Sequence, residues 1–279
     1  MKNKPIPGWH SLCQRIRTHP VVFGVYVVLR LIVIGMLAVN IVQGDYESAF
    51  VCGLVLVLFL APSFIERKLR IEIPSVMECI ILLFIFAAEI LGELGSYYLQ
   101  YPYWDTLLHV TNGFLCAAFG FSLVDILSRN KQEKFRLSPF YVALAAFCFS
   151  MTVGVVWEFF EYGMDCLFHT DMQKDTVIHL ISTVELDPTA SNQAVILENI
   201  QAVTVNGREL GLGGYLDIGL HDTMADLLVN FVGAVVFSVI GYVYVKQRGR
   251  GPSGRFVRHF IPELSEELLP DVPQENAGE

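Results

Sequence analysis

Apolar runs of roughly membrane-spanning length, separated by short polar stretches, organise this chain. Six can be drawn: Val21 to Val42, Ala49 to Ile65, Ile73 to Leu94, Leu107 to Leu127, Pro139 to Phe160 and Met224 to Tyr244. Crossing hydrocarbon takes about 20 helical residues, and helices satisfy their own backbone hydrogen bonds in lipid. The pattern therefore predicts six membrane helices, the second of them short. Between the fifth and sixth runs the periodicity changes. Val203-Thr204-Val205, Asn206-Gly207 and Arg208-Glu209-Leu210 form a strand, turn and strand sequence, and Asn-Gly is the strongest short hairpin signal. The expected fold class is an all-α membrane protein, a six-transmembrane-helix bundle with a small extracytoplasmic β-hairpin loop. Its parts are a basic N-terminus over 1–20, a membrane domain over 21–247 with its external loop at 166–220, and a tail over 248–279. The tail is expected to be partly disordered, with a short amphipathic helix around Phe256 to Leu269.

Composition agrees with this pattern. Of the 279 residues, 53% are hydrophobic and only 17% charged, too apolar for an ordinary soluble domain. The formal net charge of −9 argues against a nucleic-acid partner. Sixteen of the 19 basic residues fall in segments on one side of the six spans. The exceptions are Arg30, inside the first span, and Lys174 and Arg208 in the long loop. The positive-inside rule then puts both termini in the cytoplasm and the loop outside, as expected for a multi-pass protein of a bacterial inner membrane. The first apolar run lacks a clear cleavage signal and is expected to remain in the mature protein. The six cysteines contain no Cys-x-x-Cys pair; the four inside apolar spans read as small core hydrophobes, and Cys166 alone is expected to meet an oxidising compartment, without an obvious partner there.

The candidate chemistry lies where polar residues enter the spans. Asp105 and His109 are four apart at the start of the fourth span. Glu158, Glu161 and Asp165 stand at i, i+3 and i+7 at the end of the fifth, and Asp222, Asp226 and Asn230 open the sixth. In helices each set shares a face, and all three fall at one depth. Clustered carboxylates in a poor dielectric must take up protons, bind cations or reach water. Imidazole beside carboxylates suits a divalent metal ion such as Zn, Mn, Fe or Mg. The expected metal ligands are Asp105, His109, Glu158, Glu161 and Asp226, with Asp165, Asp222 and Asn230 as secondary ligands or groups orienting the first five. Three readings follow: a metal-dependent enzyme acting on a lipid or envelope precursor, a proton- or cation-coupled transporter, or a non-catalytic envelope scaffold with a structural polar core. Arg30 is expected to pair with Glu78 or Asp125 by reaching toward the cytoplasmic side. The aromatic group Tyr97, Tyr98, Tyr101, Tyr103 and Trp104 reads as an interfacial anchor.

The same residues carry a resemblance. Trp104-Asp105 with His109, Trp157-Glu158-Phe159-Phe160-Glu161 with Asp165 and Gln173, and Gly219 followed by Asp222-Thr223-Met224, Asp226-Leu227, Asn230 and Gly233 resemble the YjdF-type family of uncharacterised bacterial membrane proteins. The likeness covers roughly Tyr97 to Tyr244. More distantly the order of motifs is similar to that of VanZ-like proteins, with Thr106 where those usually carry lysine and Glu161 where they usually carry glutamine. The resemblance implies a grouping of residues and no particular substrate.

Overall fold

In the computed structural model, residues 20–69, 71–129, 137–247, 249–250 and 252–264 are described. The expected basic N-terminus and the end of the tail lie outside them. Among the described residues, six helices are long and apolar enough to cross a membrane. The first is α1 (Pro20–Gln43). The second is longer than expected, 24 residues over Tyr46–Leu69, built from α2 (Tyr46–Leu58) and α3 (Ala61–Leu69). Pro62 lies just inside the start of α3, where a missing N–H is tolerated. It cannot donate back to Leu58, so the helix breaks there.

After strand β1 (Ile71–Glu72), the third span begins as α4 (Ser75–Ile85) and continues as a π-helical segment, Phe86–Leu94. That widening had no counterpart in the sequence reading. It ends at Ser96 in the left-handed region (φ 57°), before the short α5 (Tyr97–Gln100). The other three spans are α6 (Trp104–Arg129), α7 (Pro139–Phe168) and α8 (Leu220–Lys246). All three extend beyond the expected limits at the ends that carry the carboxylates. A short α9 (Pro252–Val257) follows.

The chain divides into a larger unit, residues 1–151 with 230–279, and a smaller one, Thr152–Val229. Two apolar clusters hold the larger unit. One gathers Leu29, Val33, Cys52, Val55, Phe59, Leu82 and Ile90. The other joins Met77, Leu115, Ala117, Ala118, Phe121, Ala146, Ala234 and Phe237 with Val257, Phe260 and Ile261. The expected surface helix from Phe256 to Leu269 is thus corrected. The helix stops at Val257, and β8 (Glu263–Leu264) pairs antiparallel with β1. Val257, Phe260 and Ile261 are buried rather than laid on a membrane surface; Pro262 cannot continue a helix of which they would be one face.

Inside the larger unit α6 and α8 approach backbone to backbone. A Cβ at Gly113 would overlap the Asn230 carbonyl, and one at Gly233 would overlap the Val110 carbonyl. Small residues at such contacts are how membrane helices pack closely. Ser150 Oγ on α7 donates to the Gly113 carbonyl at 2.8 Å.

Arg30 does not take the expected acidic partner. Its guanidinium lies over the Tyr26 ring, 4.2 Å from the centroid, while Nε and Nη2 are buried without a hydrogen-bond partner. A cation–π contact one turn away on its own helix replaces the ion pair.

The smaller unit contains the long loop. The expected hairpin is present as β5 (Thr204–Val205) and β6 (Arg208–Glu209). Asn206 and Gly207 both have positive φ, 52° and 79°, the backbone that a tight two-residue turn requires. Two further pairs were not foreseen: β2 (Thr176–Ile178) with β7 (Tyr215–Asp217), and β3 (Leu180–Thr183) with β4 (Val195–Glu198).

Candidate metal centre

Each polar stripe continues the buried face of its own helix. On α7 the buried positions run Ala143, Ala146, Ser150, Gly154, Glu158 and Glu161, while Trp157, Phe159, Phe160 and Tyr162 are exposed. Glu158 is 4% exposed and Glu161 8%. Trp157 Nε1 donates to Glu161 Oε1 at 2.8 Å. On α8, Asp226, Asn230, Gly233, Phe237 and Gly241 form one buried line, with Met224, Leu228 and Val232 outside it. Asp226 is 4% exposed. On α6, His109 is buried and Asp105 half-buried, and His109 Nε2 stands 3.6 Å from Asp105 Oδ1. The helical period therefore turns the acidic groups away from the faces that carry the large exposed apolar side chains.

The backbone contacts in the larger unit set the register of α6 and α8. Asn112 Nδ2 donates to Asn230 Oδ1 at 3.3 Å, Cys116 Sγ reaches Asn112 Oδ1 at 3.4 Å, and Asn230 Nδ2 reaches Met151 Sδ at 3.6 Å. On α6, His109 is one turn from Gly113; on the unbroken α8, Asp226 is one turn from Asn230. Among the described residues, Asp105, His109 and Asp226 form an Asp–His–Asp group that could hold a metal ion. Glu158 and Glu161 are not members of it. Two carboxylates and one imidazole are hard and borderline donors suited to a divalent ion, and three protein ligands leave coordination positions open.

The remaining expected residues have other occupations. Asp165 Oδ1 accepts from Thr170 Oγ1 at 2.8 Å and the Met172 N–H at 2.7 Å, and Oδ2 from the Gln173 N–H at 2.9 Å. Asp222 Oδ2 accepts from the Lys174 N–H at 2.8 Å. The two carboxylates thus bind the loop backbone over 172–174 and the Thr170 hydroxyl. Gln173 Nε2 also donates to Thr223 Oγ1, and Gly219, at φ 98°, leaves no room for a Cβ beside Gln173. Asp217 accepts from the His221 N–H at 2.8 Å, with His221 Nδ1 3.0 Å from the same carboxylate. These bonds hold the Asp217 carboxyl below its usual range because they favour its charged form.

The sequence reading missed Asn112, Cys116, Ser150 and Met151. Asn112 and Cys116 follow Asp105 and His109 at i+7 and i+11, so helical spacing was the available signal. Trp104, taken as an anchor, also ties two elements together: its Nε1 donates to the Ala87 carbonyl at 3.3 Å within the π-helical segment.

The fold and these faces define a polytopic α-helical membrane protein embedded in a lipid bilayer. Comparison with known proteins narrows this. The family model described as predicted membrane protein (DUF2238) matches residues 25–247, and the chain belongs to that family. An uncharacterized protein of Thermotoga maritima is 25% identical over 125 residues, 43% of this chain. The chain spans 62% of the length of that relative. No solved structure matches. The family match is wider than the Tyr97 to Tyr244 stretch on which the resemblance rested, and the VanZ-like likeness finds no support in these matches.

Proposed function

We propose that this family member, YjdF-type in its motifs, is a multi-pass protein of the bacterial inner membrane that binds a divalent cation near the outer membrane surface. Asp105, His109 and Asp226 hold the ion, and Glu158 and Glu161 add carboxylate charge or take up protons beside it. Asp165 and Asp222 hold the loop, and Asn230 fixes the register of α8 against α6. Both termini are cytoplasmic, on the charge asymmetry of the polar segments. The observation that carries the reading is the Asp–His–Asp group, two of its members buried.

Two carboxylates balance a divalent charge, and the open coordination positions admit water and an oxygen of a substrate. Bound there, the cation would lower the pKa of water and polarise a carbonyl or phosphoryl group. The position on membrane helices favours a lipid or envelope precursor as substrate. A second reading has its own observation. The ladder from Asn230 to Asn112 and Cys116 continues polar contacts away from the acidic end, as cation or proton transport would require.

Elemental analysis of detergent-purified protein tests the binding step. Wild type should carry a divalent metal in stoichiometric amount, and Asp226→Asn and His109→Gln should lose it while eluting as the same folded species. Metal-free wild type after purification without chelator, and after reloading with zinc or manganese, would refute the site. Proteoliposomes then separate the readings: ion flux abolished by Asp226→Asn supports transport, whereas metal-dependent turnover of a lipid without flux supports the enzyme.

A further inference from the structure

We infer that an open groove between α7 and α8, away from the acidic residues, is a binding slot for one acyl chain of an anionic phospholipid. The groove lies within the larger unit and has a volume of about 330 Å³. Its walls are apolar: Leu144 and Phe147 lie on the α7 side, and Val235 and Val239 on the α8 side.

Its shape selects the occupant. At one end Phe147 and Phe231 meet edge to face, with ring centroids 5.4 Å apart. The other end, at Phe140 and Tyr242, lies near the start of α7 and the end of α8. From Phe140 to Phe147, and from Phe231 to Tyr242, the helical rise is roughly 10–16 Å. A helix of a second copy would need a groove running most of the roughly 30 Å hydrocarbon thickness. A slot stopped by rings at about half that depth suits a chain end instead.

The mouth has the complementary charge. Exposed Lys246 holds its Nζ 5.6 Å over the Tyr242 ring, one turn beyond the lining, where a lipid phosphate would sit. A lipid with its phosphate at Lys246 would run its acyl chain past Tyr242 and between Leu144 and Val239 toward the ring pair.

Native mass spectrometry of the full chain, released from nanodiscs of equal phosphatidylglycerol and phosphatidylcholine, tests this independently of any metal. Wild type should retain one phosphatidylglycerol per chain through detergent stripping. Val239→Trp and Leu144→Trp fill the groove from opposite walls at exposed positions, and both should lose that lipid with unchanged thermal unfolding. Lys246→Gln should keep a lipid but lower the preference for the anionic headgroup roughly fivefold, as for one lysine at a membrane surface. Equal retention in wild type and both tryptophan variants would overturn the slot. Unchanged headgroup preference in Lys246→Gln, or a disulfide dimer through Val239→Cys in place of bound lipid, would overturn the assignment of its occupant.

Discussion

Replacing Gly233 with alanine should destabilise the protein, although alanine is the better helix former. The new methyl would overlap the Val110 carbonyl, with the Phe114 nitrogen 2.9 Å from it. Both are backbone atoms and cannot turn aside, so α6 and α8 must separate. Inserting a methyl into a packed site costs about 1–3 kcal/mol, while removing a helical glycine returns about 0.5–1 kcal/mol. The net expectation is a loss of up to roughly 2.5 kcal/mol, centred on about 1 kcal/mol. Gly35 supplies the control: it lies within α1 and a Cβ there meets nothing within 4 Å. Gly35→Ala should therefore be neutral or stabilising by up to about 1 kcal/mol. Thermal unfolding in detergent, followed by the loss of helical circular dichroism, reads both variants on one scale. If Gly233→Ala melts at or above Gly35→Ala, the close approach of α6 and α8 is wrong, and with it the register assigned to Asp226.

Other expectations concern the loop and tail. Asp165→Asn weakens three hydrogen bonds to 170–173, so amide exchange at Met172 and Gln173 should quicken at least several-fold, while Glu185→Gln leaves it unchanged. Asp187 accepts from Thr189, Ser191 and Gln193, and these bonds, that of the Thr189 hydroxyl foremost, hold its carboxyl well below the usual range. A group lowered in the folded state contributes order above its unfolded value near pH 4 and loses it as pH falls through the lowered value. Pepsin cleavage within 184–194 should therefore rise toward the most acidic conditions, and Asp187→Asn should show enhanced cleavage already at pH 4. Phe260→Ala removes a ring that meets Phe114 edge to face and Phe256 at a tilt and should cost about 3 kcal/mol; a melting temperature equal to wild type would show that the tail does not dock.

The six spans were legible because length and apolarity are what a bilayer demands of a helix. Their outer limits were not. Hydropathy falls at Glu161 to Asp165 and at His221 to Asp226, yet both helices run through these residues, whose carboxylates are buried or bonded to loop backbone. The break after Leu58 could have been read from Pro62. The π-helical turn could not, since Phe86–Leu94 differs from an α-helix only in which carbonyl each N–H meets. In the loop, Asn206-Gly207 announced β5 and β6, whereas β2 and β7 are three residues each and lie 36 residues apart. Such short distant strands leave no local pattern. At the site, spacing revealed the stripes on α6, α7 and α8 but not which oxygens were already engaged. Asp165 and Asp222 were expected near the ion because they share a face with better candidates; the loop returning over them could not be seen from spacing.

The polar stripes and the glycine contacts belong to one design. A carboxylate in the hydrocarbon region costs on the order of 2.5–3.5 kcal/mol at a helix centre, less toward the end where Asp226 and Asp105 lie. Offsetting that cost with side-chain packing alone would leave the acids on helices free to shift by an ångström. Here Gly113 and Gly233 bring α6 and α8 into backbone contact one turn inward of His109 and two turns inward of Asp226, respectively. Backbone atoms have no rotamers to relax, so the contact fixes axial register more tightly than leucines would. Small-residue packing therefore stabilises the helix pair that must bear the acidic end, and it sets where along each helix the donors emerge. It follows that substitutions at Gly113 or Gly233 should weaken metal retention even in protein that still folds, whereas equally destabilising changes in the Val33, Val55 and Leu82 cluster should not.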